Sequence, residues 1–180
     1  MRIVGGKYKR TPLQTLEGNE ITRPTKDMVR EALFSSILVH NETVFLDLFA
    51  GSGAIGIEAL SRGAQDVVFN DSNRDAVRII RANLNKVKED RLVLNLDYQD
   101  CLRSLKGRTF DAIYVDPPYR FDAYEEIFRF VDEYSLLQKR GLLIIEVHKD
   151  TVIKENYHDI VLFKERRYGI NKLLYYRKED

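Results

Sequence analysis

The stretch Val44-Phe-Leu-Asp-Leu-Phe-Ala-Gly-Ser-Gly-Ala-Ile-Gly-Ile-Glu-Ala-Leu-Ser-Arg62 reads as a strand, a glycine turn and a helix in immediate succession. Val44 to Phe49 is apolar except for Asp47, the pattern of a strand covered on both faces. Ala50 to Gly56 carries three glycines, and the helical run from Ile57 stops at Gly63. The alternation continues downstream. Asp66 to Asp71 reads as a strand, Asp75 to about Leu84 as a helix and Leu92 to Leu96 as a third strand. Phe110 to Asp116 follows as a strand, Tyr124 to Glu133 as a helix and Gly141 to Val147 as a fifth strand. Strands separated by helices need right-handed crossovers, so the predicted fold is α/β, a mostly parallel sheet with helices on both faces. Ile160 to Tyr168 and Lys172 to Lys178 have only Gly169-Ile-Asn171 between them, too short for a crossover, and are predicted as an antiparallel hairpin that brings the sheet to seven strands.

Upstream of this core the chain has two further parts. Residues 1–22 form a basic arm, with Arg2, Lys7, Lys9 and Arg10 preceding the first carboxylate, Glu17. From 23 onward the chain reads as one domain, starting with a helix for which Thr25 is a candidate N-cap and in which Met28, Val29, Ala32, Leu33 and Ile37 recur at helical spacing. A length of 180 residues accommodates one such unit. Lys and Arg number 29 against 28 Asp and Glu, a net charge of +1, so attraction for a polyanion has to come from where the charges sit. Cys101 is the single cysteine, no Cys/His cluster has metal-ligand spacing, and no run approaches the roughly 20 apolar residues that span a bilayer. A monomer in the cytoplasm, without metal or membrane partner, is the expectation.

In an open parallel sheet, ligands bind beyond the carboxyl ends of the strands near the point where strand order reverses. The chemistry-bearing residues of this chain cluster at those ends. Gly51-Ser52-Gly53-Ala-Ile-Gly56 matches G-x-G-x-x-G with Asp71 about 20 residues on, a pattern for an adenosine-containing ligand that dinucleotides share. Asp47 inside this loop would repel a pyrophosphate and favour a cationic sulfonium and amino acid, which points to S-adenosylmethionine rather than NAD; capping of the loop's own N–H groups is a compatible, plainer role. Asp116-Pro117-Pro118-Tyr119 is a rigid turn with two N–H donors removed. Its Asp116 carboxylate and Pro117 carbonyl can accept both hydrogens of an exocyclic base amine and aim the nitrogen lone pair, and Tyr119 offers a face for an extruded base.

These pieces resemble a known family. Met1-Arg-Ile-Val-Gly-Gly-Lys-Tyr-Lys9, Thr22-Arg-Pro-Thr-Lys-Asp27, Leu46-Asp-Leu-Phe-Ala-Gly-Ser-Gly-Ala-Ile-Gly-Ile-Glu58 and Asp116-Pro-Pro-Tyr119 together are similar to the RsmD family of bacterial 16S ribosomal RNA guanine-N2 methyltransferases, which have the Rossmann-like class I fold. The resemblance implies a cofactor, S-adenosylmethionine, leaving as S-adenosylhomocysteine, held by Asp47, Phe49, Gly51, Ser52 and Gly53, with Asp71 on the ribose hydroxyls and Asp100 and Cys101 at the adenine. Arg23 and Thr25 would close over the methionine end. Asp116, Pro117 and Tyr119 would act on a guanine of ribosomal RNA, naked or in a small-subunit assembly particle. Family members frequently carry Glu at the ribose position, where this chain has Asp71.

The basic arm suits an RNA backbone, since Lys and Arg neutralise phosphates whatever the base sequence. The same four residues would also serve as a solvated hairpin face, and Arg166, Arg167, Lys172, Arg177 and Lys178 allow the same two readings. His40, His148 and His158 stand beside no paired acid or serine and read as packing or surface residues. Glu146, at the end of the fifth strand, could reach a substrate but receives no role. Transfer to adenine N6 or cytosine N4, and a noncatalytic RNA-binding assembly module, are the competing functions.

Overall fold

The computed structural model describes residues 1–16 and 23–180, and the side chains of 23–25 lie outside that description. The elements in chain order are α1 (Arg23–Ser36), β1 (Val44–Asp47), α2 (Ala54–Ser61), β2 (Asp66–Asn70), α3 (Arg74–Lys86), β3 (Val93–Leu94), α4 (Tyr98–Ser104), β4 (Phe110–Val115), α5 (Tyr124–Glu133), β5 (Leu137–His148), β6 (Asn156–Tyr157), β7 (Ile160–Tyr168) and β8 (Asn171–Lys178). They build one sheet of order β3-β2-β1-β4-β5-β8-β7-β6. The neighbours from β3 to β5 pair in parallel, and β8, β7 and β6 add antiparallel. The mixed α/β architecture agrees with the expectation; the added eighth strand is the two-residue β6.

Strand alternation sorts the core into two faces. Phe45, Val67, Phe69, Ala112, Tyr114 and Ile144 pack with residues of α1, α2 and α3, whereas Leu46, Val68, Ile113, Val115, Leu143 and Ile145 pack with α4 and α5. Both faces are covered, which is why these strands read as continuous apolar runs rather than as alternating ones. Each fully buried aliphatic or aromatic side chain contributes about 1.5–3 kcal/mol of transfer free energy.

Three local readings need correction. α1 begins at Arg23, so Thr25 lies within its first turn instead of capping it. Residues 98–104, which the alternation of strands and helices above does not include, form α4, because Asp97 caps the helix by accepting the Asp100 N–H at 2.8 Å. β5 starts at Leu137 and passes through a register shift against β4 between Phe110 and Ala112.

The N-terminal arm folds back as a hairpin. Ile3 N–H donates to the Thr11 carbonyl and Arg10 N–H to the Ile3 carbonyl, with an antiparallel bridge between Arg2 and Pro12. Ile3 and Leu13 are buried in the core against the first face. Buried Glu58 of α2 accepts the Val4 and Gly5 N–H groups at 2.9 and 2.7 Å, and ion-pairs with Arg62 at 2.9 Å and with buried Arg30 at 3.5 Å. A charge buried in this way is tolerated because both oxygens accept backbone N–H groups and two guanidinium groups flank them. Among the described residues, no helix is long and apolar enough to cross a membrane.

Candidate active site

The order of parallel strands reverses between β1 and β4, and the crevice beyond their carboxyl ends collects the acids named above. The register pairs Asp47 with Tyr114, and the Leu48 N–H donates to the Tyr114 carbonyl at 3.1 Å, locking the two strand ends together. Asp47 is 1 % exposed and accepts the Gly56 N–H at 3.0 Å. Burial, with the Asp71 charge adding, raises its pKa to about 7 although the Gly56 hydrogen bond opposes the shift. Asp47 therefore ties the loop to α2, and it can act on a cation above it through its field rather than through an exposed contact.

The loop itself is shaped to admit a ligand. Gly51 has φ +56°, and a Cβ there would meet nothing within 4 Å, so its backbone faces open space. Gly56 has a different duty: a Cβ would come within 2.2 Å of Phe69, so a glycine is needed for α2 to approach β2. Asp71 holds the loop from the next strand, accepting the Gly51 N–H at 2.8 Å and the Asn73 N–H at 2.9 Å. Each of its oxygens has a further lone pair that can accept another hydrogen bond. Ser52 sits under the arm, its carbonyl accepting from the Asn83 amide at 2.9 Å, and Asn83 also exchanges two hydrogen bonds with the Gln14 backbone.

Phe49 packs edge to face with Phe121 at 5.5 Å, and Tyr98 and Tyr124 extend the cluster. Asp100 lies exposed in the first turn of α4, ion-paired with Arg103. Cys101 is turned the other way by the same helix: it is 0 % exposed in the apolar core, and burial pushes its thiol up to about 12. The expected Cys101 contact with an adenine has no surface to occur on, because helical geometry separates it from outward-facing Asp100. The Arg23 and Thr25 side chains, expected over the methionine end, lie outside the described residues.

Asp116, Pro117, Pro118 and Tyr119 line a cleft of about 170 Å³ together with Tyr124, Glu146, Val147, His148, Thr151 and Asn171. That is below the roughly 300–1,000 Å³ of drug-sized pockets and suits one planar group. Tyr119 is 85 % exposed, with its ring against His148 at 6.1 Å. It is thus no core residue. The Pro118 carbonyl accepts the Phe121 N–H at 2.9 Å, so the turn offers one open carbonyl rather than two; no hydrogen bond reaches the Pro117 carbonyl among the described residues. Asp116 keeps an open face to solvent while protein crowds it densely. That crowding, and next the Glu146 charge, hold its carboxyl well above the usual carboxylate range, with Lys26 of α1 opposing.

Lys26, Tyr114 and Asn171 join the site without having been singled out in the sequence. They come from α1, β4 and β8, and only tertiary packing makes them neighbours. The arm cations are distributed differently. The hairpin tip packs on the last turn of α2, where Lys7 N–H donates to the Ser61 carbonyl at 2.7 Å and the Lys7 ammonium pairs with Glu89 at 3.0 Å. Arg2, Lys9 and Arg10 are exposed.

An open sheet with this strand order, a glycine loop after β1, an acid after β2 and an acid-proline turn after β4 defines a Rossmann-like methyltransferase of the S-adenosylmethionine-dependent class. The family model described as conserved hypothetical protein 95 matches residues 1–177, and the chain belongs to that family. The chain is 32% identical over 183 residues to a putative rRNA methyltransferase, YlbH, of Bacillus subtilis, covering 99% of both chains. It is 33% identical over 177 residues to ribosomal RNA small subunit methyltransferase D of Haemophilus influenzae, covering 94% of this chain and 90% of the relative. The solved structure of a putative methyltransferase, yhhF, from Escherichia coli superposes with a TM-score of 0.87 at 29% identity, covering 99% of this chain and 98% of the other.

Proposed function

We propose that this protein transfers a methyl group from S-adenosylmethionine to the exocyclic N2 amine of a specific guanine in small-subunit (16S) ribosomal RNA. The observation that carries the reading is the Asp116-Pro117 acceptor pair in a cleft whose mouth holds the exposed ring of Tyr119. The names of the relatives support ribosomal RNA as the substrate class. The open cradle at Gly51 and the acids at Asp47 and Asp71 fit the cofactor. When bound, the cofactor supplies an electrophilic methyl group on a positively charged sulfur.

The residues of the chain do the positioning. Gly51 to Gly53 and Phe49 would line the cofactor, Asp71 would accept from its ribose hydroxyls and Asp100 would stand at its adenine. Arg23 and Thr25 belong to the same proposal. Asp116 Oδ and the Pro117 carbonyl accept the two N–H bonds of the amine, which turns the nitrogen lone pair out of conjugation and along one line. Tyr119 stacks on the extruded base, a contact worth about 1–3 kcal/mol. As the nitrogen becomes cationic its proton turns acidic, and Asp116 or water removes it. Arg2, Lys7, Lys9 and Arg10 would contact phosphates, Lys7 in competition with Glu89. The enzyme is expected to act as a monomer in the cytoplasm.

Mass spectrometry of nucleosides from the ribosomal RNA of a deletion strain tests this directly. Loss of one N2-methylguanosine, restored by the wild-type gene, is the expected result; an unchanged nucleoside profile, or loss of a methylated adenosine or cytidine, would overturn it.

Two substitutions probe the binding roles. Asp71→Ala is expected to weaken S-adenosylmethionine binding by about 10- to 100-fold in calorimetric titration, since it removes charge-assisted hydrogen bonds and releases the Gly51 N–H. Arg10→Ala is expected to weaken RNA binding uniformly across sequences and to lower the slope of log affinity against log salt by about 1 in an anisotropy titration. An unchanged salt slope would remove Arg10 from the interface.

A further inference from the structure

The cleft contains a second carboxylate that the mechanism above leaves idle. Glu146 breaks the apolar run Leu142 to Val147 near the end of β5. β4 and β5 pair in parallel with Val115 opposite Ile145, so one further step along both chains sets Asp116 beside Glu146 at about one strand spacing, roughly 4.8 Å. Alternation puts both on the face that Tyr114 and Ile144 share.

Glu146 is held at both oxygens. Buried Tyr114 donates its hydroxyl to Oε2, and the Asn171 amide donates to Oε1 at 2.9 Å. Two donors from two different strands fix one rotamer, and a carboxylate still has lone pairs left for a ligand. A fixed acid facing another acid is unfavourable in the empty cleft, and the repulsion is relieved by a ligand that donates to both. Guanine has that edge: ring N1–H beside the N2 amine. Adenine beside its N6 amine, and cytosine beside its N4 amine, present a ring nitrogen lone pair instead, which would face Glu146 and leave it unpaired.

We infer that Glu146 is the specificity-determining residue of this site, accepting the ring N1–H of guanine while Asp116 and Pro117 hold the neighbouring amine. The inference rests on the guanine reading given above. A site built to pair a donor rejects an analogue lacking it far more strongly than it rejects a change in size.

The test uses short RNAs in which the target guanine is replaced by 2-aminopurine, which keeps the amine and carries a lone pair at N1. The wild-type enzyme is expected to prefer guanine in kcat/KM by at least about 100-fold. Glu146→Gln, whose amide can donate to that lone pair, is expected to narrow the ratio by at least about tenfold, losing on guanine and gaining on 2-aminopurine, with S-adenosylmethionine affinity unchanged. Tyr114→Phe keeps the buried ring and frees Oε2, so it is expected to narrow the ratio in the same direction. If Glu146→Gln slows both RNAs equally, or if both variants keep the wild-type ratio, the inference is overturned while the guanine reading stands. If the wild-type enzyme methylates neither RNA but does methylate an adenine or cytosine substrate, both fall.

Discussion

Replacing Asp116 by alanine is expected to lower methyl transfer to ribosomal RNA by about a thousandfold or more, while S-adenosylmethionine affinity stays within about twofold. The basis for the first figure is that one preorganised hydrogen-bonding partner at a reacting centre is worth about 10²–10³ in rate, and Asp116 has two duties, aiming the lone pair and accepting the proton. The second figure follows from position. Asp116 directly follows β4 and faces the cleft, whereas the glycine loop hangs from β1 and is held by Asp71. Asp116→Asn keeps an acceptor oxygen and is expected to fall between wild type and alanine. Single-turnover rates with saturating cofactor, set beside calorimetric binding, measure the two effects separately. Full turnover by the alanine variant would remove the mechanism.

Asp47→Asn is expected to stabilise the unliganded protein and to impair cofactor binding. The folded-state pKa of Asp47 is raised from 3.8 to about 7. Below pH 3.8 the group is protonated in both folded and unfolded chains and has no effect. Between pH 3.8 and about 7 the folded state holds a proton that the unfolded state has released, so this group makes stability fall as pH rises. Above that window the full cost is present, on the order of 4 kcal/mol at about 1.36 kcal/mol per unit. Asparagine keeps an oxygen for the Gly56 N–H and carries no charge to bury. Its chemical denaturation at pH 8 is therefore expected to require more urea than the wild type, with a difference that shrinks toward pH 4. The same change removes the charge of Asp47 from beneath the loop, where Asp71 supplies a second one, and affinity for S-adenosylmethionine is expected to drop by about 10- to 100-fold. Equal stability of the two proteins at pH 8 would show that the buried charge is compensated.

The two variants separate binding from chemistry. Asp47 acts from beneath the cofactor loop and Asp116 acts at the target amine, so a variant losing affinity without losing single-turnover rate, and its converse, would map the two halves of the crevice. The arrangement carries repulsion in the unliganded protein at both places. Asp47 feels Asp71, and Asp116 feels Glu146. A cationic ligand above one pair and a donor-rich base between the other would relieve it, a stability–function trade-off of the kind common at active sites.

Much of this was legible in the linear chain. The apolar run around Leu46, the glycines from Gly51 to Gly56 and the alternation of strands with helices specified the order of elements, because backbone hydrogen bonding and side-chain periodicity are local properties. The α5 boundaries, Tyr124–Glu133, coincide with the expectation for the same reason. The α4 helix was hidden: its seven residues are too few for a clear period, and the burial of Cys101 in the core, against the adenine contact that the resemblance implies, was hidden with it. The role of Glu58 was hidden as well, since its partners in the arm lie 53 and 54 residues away along the chain.

The sequence by itself determined the fold class, the glycine loop with its acids and the proline turn, all of which are encoded within short spans where geometry follows from residue type. Only the tertiary structure decided that Asp116 stands beside Glu146, that Asn171 and Tyr114 clamp that glutamate, that the Lys26 charge acts on Asp116 and that the arm's tip packs on the far end of α2. Those relations depend on strand order and register, which are set by how two buried faces pack against their helices, and no local pattern in the chain records them.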